Sequence, residues 1–377
     1  MRIVIAALFS MAISAPAFSV ITDAPEAPKS SIKVETVASG LAHPWGMQFL
    51  PDGRILVTER PGRLRIIDKG GKISDPVASV PPVFAERQGG LLDVALAADF
   101  ESSRTLFLTY AEPRGGGQSA TAVARAQLVE KGGTARLDNV RVIFRQQPGY
   151  TNGLHFGSRV VVAPDGKLFI TLGERFQMQY AQDLSRHWGK VIRINPDGTV
   201  PTDNPFVGKT GARPEIWSYG HRNPQAAAIH PQTGELWVIE HGARGGDEVN
   251  IARKGLNYGW PVISYGMHYS GEAIPRTREG MEQPLYYWDP SIAPSGMAFY
   301  TSDRAPQWKG NVFVGALAKT HLSRLVLDGE TVTGEERLLE DQNARIRDVR
   351  QGPDGAIYVA TDSPQGKILR ITPQDQG

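Results

Sequence analysis

Apolar and polar residues alternate in short runs along this chain, and one strand-turn-strand unit returns several times. Met47-Gln48-Phe49-Leu50 leads through Pro51-Asp52-Gly53 to Ile55-Leu56-Val57. Val160-Val161-Val162-Ala163 leads through Pro164-Asp165-Gly166 to Leu168-Phe169-Ile170. Val349-Arg350-Gln351 leads through Pro353-Asp354-Gly355 to Ile357-Tyr358-Val359, and a looser copy runs from Ala228 through Pro231 and Gly234 to Leu236-Trp237-Val238. Period-two alternation marks strands. Pro-Asp-Gly turns tightly because proline presets φ and glycine accepts a positive φ. Two of the three gaps between these prolines are about twice the other, and each holds a degenerate copy: residues 94–100 before 106–110, and residues 296–300 before 311–315. Six strand units at a period of roughly 50–70 residues predict an all-β fold, a six-bladed β-propeller. The segment from Ile32 to Val37 is placed as a strand that closes the ring with the last unit.

With 41 glycines and 27 prolines, turns are dense, which favours short strands over long helices. Residues 176–206 and 262–284 are rich in polar residues and glycine and read as long inter-strand loops, which in a propeller crowd one face and carry function. Gly115-Gly116-Gly117 reads as a loop tip.

The first 19 residues have the form of a secretory signal. Arg2 gives a positive start, residues 3–13 are apolar, and Ala15-Pro16-Ala17 (or Ala17-Phe18-Ser19) is a small-residue cleavage pattern. The apolar run is too short to span a membrane, so residues 20–377 are expected to form the propeller domain of an exported, periplasmic protein. There is no cysteine, hence no disulfide and no thiol chemistry. A formal charge of +2 leaves no basic excess for nucleic acid.

Candidate chemistry gathers just before the inner strands. His155, in Asn152-Gly153-Leu154-His155-Phe156-Gly157, offers an imidazole that can take a proton near neutral pH. Arg222 and Asn223, in Gly220-His221-Arg222-Asn223-Pro224-Gln225, put a fixed cation beside amides. Arg345 and Arg347 fall on one side of an extended chain and suit a polyanion. Gln88 brings an amide before the second unit. The loop from Gly242 to Asn250 carries Asp247 and Glu248 among glycines, a set of oxygens suited to a hard cation such as calcium, though its spacing is not that of an EF-hand. Taken singly, each has a plain structural reading. Their common place in different repeats makes them converge at one mouth of the channel.

These segments, together with Gln88-Gly89-Gly90-Leu91-Leu92 and Asn257-Tyr258-Gly259-Trp260-Pro261, resemble the soluble quinoprotein glucose dehydrogenase family, and more closely its bacterial aldose sugar dehydrogenase branch. The resemblance covers nearly the whole chain after the signal. It implies pyrroloquinoline quinone (PQQ) and calcium as cofactors, and oxidation of aldoses at the anomeric carbon to lactones, with electrons passed to an external acceptor. His155 would be the base and Arg222 the group that stabilises charge on the reduced quinone. Gln88 and Asn223 would line the cofactor site, and Arg345 and Arg347 would bind PQQ carboxylates. The carbonyls of Gly242 and Ala243 would hold the catalytic calcium, and Glu248 and Tyr258 a second one. In the glucose enzymes a PQQ-binding lysine sits where this chain has Ala318; the neighbouring Lys319 would face the other way in an extended strand.

A calcium-dependent propeller hydrolase such as a lactonase, and a non-catalytic glycan-binding propeller, are the alternatives. The hydrolase would have no use for the Arg345/Arg347 pair, and the binder gives no reason for the convergent polar groups. The partners expected are an aldose and an electron acceptor, with neither nucleic acid nor a membrane span, for a monomer or homodimer.

Overall fold

A computed structural model describes residues 24–374, so the expected secretion signal lies outside the described residues. Six antiparallel sheets follow one another along the chain. Their inner strands are Pro44–Phe49, Leu91–Leu96, Gly157–Val162, Pro224–Ile229, Pro294–Phe299 and Ile346–Gln351, here assigned to blades 1 to 6. Each inner strand contacts the next, and the sixth contacts the first, which closes a six-bladed β-propeller. Blade 1 has three strands and the others four.

The ring is fastened by the N-terminal strand. Ile32–Leu41 pairs antiparallel with the last strand, Gly366–Pro373, as the outer strand of blade 6. This is the closure expected for residues 32–37, extended by four residues. The Pro-Asp-Gly segments lie at the turns between first and second strands, as at Gly53 and Gly166, both with positive φ.

Apolar faces of neighbouring blades pack on one another. One cluster joins Leu56 and Leu64 of blade 1 to Val94, Leu106 and Leu108 of blade 2. Another joins Trp237 and Ile239 of blade 4 to Met297 and Val314 of blade 5. Equivalent clusters occupy the other blade boundaries. A threonine on the second strand of each of the first three blades adds a polar stitch. Thr58, Thr109 and Thr171 donate to the backbone carbonyls of Leu92, Ser158 and Pro224 in the following blade.

Two features set the mouth of the channel. First, pairing with the second strand is irregular near the start of every inner strand, for example between Pro44 and Met47 and between Pro224 and Ala226. Such breaks in the ladder re-aim side chains. Second, the channel is plugged below the mouth. The buried Arg159 guanidinium donates to Asp93, Asp348 and the carbonyls of Gln225, Ser295 and Arg347, and lies over the Trp45 ring. That one side chain, from blade 3, touches all five other blades.

One loop expectation is corrected. Residues 176–206 are not a single loop, because Lys190–Ile194 forms the third strand of blade 3 and a 3-10 turn occupies Met178–Tyr180. The strand is short and wholly buried, so it lacks the alternation that would have marked it. The loop tip at Gly115 to Gly117 is as expected: all three have positive φ and open space around them.

Candidate active site

His155 sits just ahead of the inner strand of blade 3, buried, with φ 50. A left-handed histidine costs about 1–3 kcal/mol and persists only where its surroundings fix it. Here Gln88 Oε1 accepts the His155 backbone N–H at 2.7 Å, so blade 2 holds blade 3's residue. The ring Nδ1 lies 2.7 Å from Glu174 Oε2, which also accepts the Phe176 N–H at 2.6 Å. Nε2 makes no hydrogen bond among the described residues. Burial, with Arg222 and Arg175 nearby, lowers the His155 pKa, while Glu174 opposes the shift. The imidazole is thus neutral at pH 7, with Nδ1–H directed to the carboxylate and Nε2 able to accept a proton.

Arg222 is anchored but not neutralised. Its backbone N–H donates to Glu240 Oε2 at 2.5 Å, and Glu240 Oε1 lies 2.8 Å from His221 Nδ1. The guanidinium donates to the His241 carbonyl (3.1 Å) and the Tyr269 hydroxyl (3.2 Å) and stacks near Trp260. Among the described residues it forms no ion pair. Asn223 Oδ1 accepts the Gly157 N–H, tying blade 4 to blade 3. A cavity of about 420 Å³ lies above, lined by Glu174, Phe176, Met178, Arg222, Ala243 and Tyr269, with other loop residues. Phe176 meets the His155 ring edge-on at 5.2 Å and faces Tyr269 at 6.2 Å.

Across the channel, Arg347 donates to Gln225 Oε1 (2.7 Å) and Asp362 Oδ2 (3.1 Å), and Arg345 reaches the same carboxylate oxygen at 3.4 Å. The pair therefore shares one side, as the alternation implied, and leaves one net positive charge. Burial alone would raise the Asp362 carboxyl; Arg347, His43 and Arg345 outweigh it and hold it well below the usual carboxylate range. The expectation for Lys319 is corrected. The second strand of blade 5 ends at Ala316, and Lys319 and Thr320 have φ 64 and 47 in the turn that follows. The extended-strand argument does not apply, and Lys319 is exposed.

The loop after Glu240 folds around Asp247. This carboxylate accepts from the Gly242 N–H, the Ser291 hydroxyl and the N–H groups of Ile292 and Ala293, all within 2.8 Å. A Cβ on Gly242 would lie 2.0 Å from the Gly245 carbonyl oxygen and 2.4 Å from that of Gly246. Backbone oxygens therefore converge where only glycine fits. A water-sized void beside them is lined by Glu240, Gly242, Glu248 and Tyr258. Burial and the neighbouring Glu240 carboxylate push Glu248 up to about 8. The Tyr258 hydroxyl is committed to the Ile251 carbonyl, to which it donates, and the Arg253 N–H, from which it accepts. No cluster of three or more histidine or acidic side chains poised for a metal occurs among the described residues, so any cation here needs backbone oxygens.

The structure thus brings Gln88, His155, Asn223, Arg222, Arg345 and Arg347 to one mouth, with the Gly242 loop and Glu248 beside them. Glu174, Asp362, Gln225 and Tyr269 were not foreseen. For the acids a signal existed. Glu59 and Glu240 end second strands, and Glu174 and Asp362 lie one or two residues beyond theirs. Each receives a group just ahead of an inner strand: Ala42, His155, Arg222 and Arg345.

The family model for Glucose / Sorbosone dehydrogenase matches residues 41–370. The chain is 46% identical over 351 residues to aldose sugar dehydrogenase YliI of Escherichia coli, covering 92% of this chain and 94% of the relative. The crystal structure of the soluble E. coli aldose sugar dehydrogenase in its apo form superposes with a TM-score of 0.89 at 46% identity, over 91% of this chain and all of that one. The PQQ-bound aldose sugar dehydrogenase of Streptomyces coelicolor superposes with a TM-score of 0.76 at 28% identity, over 92% and 100%. With a six-bladed ring, a paired histidine and a cationic mouth, the chain belongs to the Glucose / Sorbosone dehydrogenase family.

Proposed function

We propose that this protein is a periplasmic PQQ- and calcium-dependent aldose dehydrogenase that oxidises the anomeric carbon to a lactone and passes electrons to an external acceptor. One observation carries the reading. Of eight buried side-chain nitrogen and oxygen atoms without a partner among the described residues, four belong to this mouth: Arg222 Nε, Asn223 Nδ2, Trp260 Nε1 and Arg347 Nε. Leaving such groups unmade is costly, so their concentration points to a polar, anionic occupant. PQQ, with three carboxylates, fits that description.

The donor set also fits calcium. The Gly245 and Gly246 carbonyls that crowd Gly242, and a half-buried Glu248 that lacks a basic partner among the described residues, are oxygen ligands of the type a hard cation takes, and the carbonyls of Gly242 and Ala243 would join them. Glu248 and the Tyr258 carbonyl would hold the second ion. When bound, PQQ would accept hydride from the sugar while calcium polarises the quinone.

The chain's own residues supply the rest. His155 Nε2 takes the proton of the anomeric hydroxyl, and Glu174 stabilises the imidazolium that forms. Gln88 fixes the His155 backbone. Arg222 presents its charge where negative charge develops, and Asn223 offers Nδ2 to the occupant. Arg345 and Arg347 hold carboxylates. Phe176 covers the ring of His155, with Tyr269 packed beyond it, and together they limit water.

The test is turnover of an aldose panel with a dye acceptor after loading with PQQ and calcium. Lactone should form only with both present. Lactone consumption without an acceptor would favour a hydrolase instead.

A further inference from the structure

Lys190, which none of the chemistry above uses, is fully buried at the start of the third strand of blade 3. Its ammonium has three N–H donors, and each finds a backbone carbonyl: Tyr180 at 3.2 Å, Ala181 at 2.8 Å and Trp188 at 2.5 Å. No carboxylate pairs with it among the described residues. Burial pulls its pKa down to about 7, with Asp183 opposing. An unpaired buried charge is expensive, so this side chain must serve something that an apolar one would not.

What it serves is visible in its partners. Residues 173–189 connect the second and third strands of blade 3. The first part of this loop carries Glu174 and Phe176 against His155, then Met178 on the cavity wall. Lys190 ties the end of the Met178–Tyr180 turn to the loop's base at Trp188. The Ala181 carbonyl also accepts the Gly220 N–H, which opens the segment leading to Arg222. From the same stretch, Gln182 donates to Asn257 and to the Trp260 carbonyl. One ammonium thus joins the loop that orients the base to the segment that carries the cation.

We propose that Lys190 is a positioning residue for the sugar pocket, clamping residues 173–189 from inside so that Glu174, Phe176 and Met178 hold their places around His155. The inference deepens the proposed function, and its test separates the two. Arg345 and Arg347 stand on blade 6, away from the clamp, and Arg222 and Asn223 keep their own anchors on Glu240 and Gly157, so the quinone should be held nearly as well without it.

Lys190→Met and Lys190→Gln are the variants. In Lys190→Met, amides of residues 176–187 should exchange with deuterium about ten-fold faster or more in the protein without cofactor, while the blade 3 strands exchange as before. The aldose kcat/KM of the loaded enzyme should fall about ten-fold or more, with quinone affinity changed less than about three-fold. Lys190→Gln, which keeps an N–H donor, should fall between. Unchanged loop exchange, or an unchanged kcat/KM in a folded variant, overturns the clamp. So does failure of both variants to fold, because the role would then be global. If the wild type oxidises no aldose, the proposed function fails, while the exchange measurement still decides the clamp.

Discussion

Replacing Glu174 by Gln tests the base most sharply, because the substitution keeps the shape of the pair and removes only its charge. Glu174 is 2 % exposed and its Oε2 lies 2.7 Å from His155 Nδ1. A hydrogen bond to a charged group is worth about 1.5–3 kcal/mol. The imidazolium formed during proton transfer would lose that amount relative to the neutral ring. At 1.36 kcal/mol per decade, kcat/KM should fall about 10- to 150-fold. The direction of the pH effect is also fixed. Burial already lowers the His155 pKa below 6.5, and Glu174 is the largest influence raising it. Without that charge the pKa falls further, so the acid limb of kcat/KM moves to lower pH while the plateau drops. Steady-state kinetics of the loaded enzyme from pH 4 to 8 would read both. A plateau within two-fold of wild type, or an acid limb displaced upward, would refute the assignment of His155 as a base oriented by Glu174.

Three other outcomes follow from the same geometry. Arg347→Met should weaken quinone binding about 10- to 150-fold by equilibrium titration, since it removes a buried charged donor, whereas Lys319→Met, at an exposed turn, should cost about 1 kcal/mol or less. Gly242→Ala places a Cβ 2.0 Å from the Gly245 carbonyl; calcium should raise the melting temperature of the wild type and leave that of the variant unchanged. Asp362 has a depressed folded pKa, so its contribution to stability is complete above about 3.8 and is lost as pH falls through the lower folded value. Asp362→Asn should therefore lower the urea midpoint at pH 6 and flatten its decline below pH 4.

The legibility of this chain follows its physics. Alternating strands and Pro-Asp-Gly turns are local signals, and they sufficed for six blades and for the closing strand at Ile32–Leu41. The strand Lys190–Ile194 escaped notice because both its faces are buried and its pattern does not alternate. His155, Arg222 and Arg347 were readable because each stands before or at the start of an inner strand, a position the repeat defines. Glu174 and Asp362 also stand at a place the repeat defines, just beyond a second strand, but which group each one faces is a tertiary fact. The extended strand expected at Lys319 is absent because the backbone has positive φ at two successive non-glycine residues, and such backbones leave little trace in residue type.

The central claim is that this mouth holds PQQ with the help of calcium. A titration of the purified protein with PQQ, followed by tryptophan fluorescence in calcium and again in excess chelator, tests it directly. The account predicts saturation at one PQQ per chain in calcium and a large loss of affinity in chelator. No saturable binding in calcium, or binding of the same strength in chelator, would contradict it.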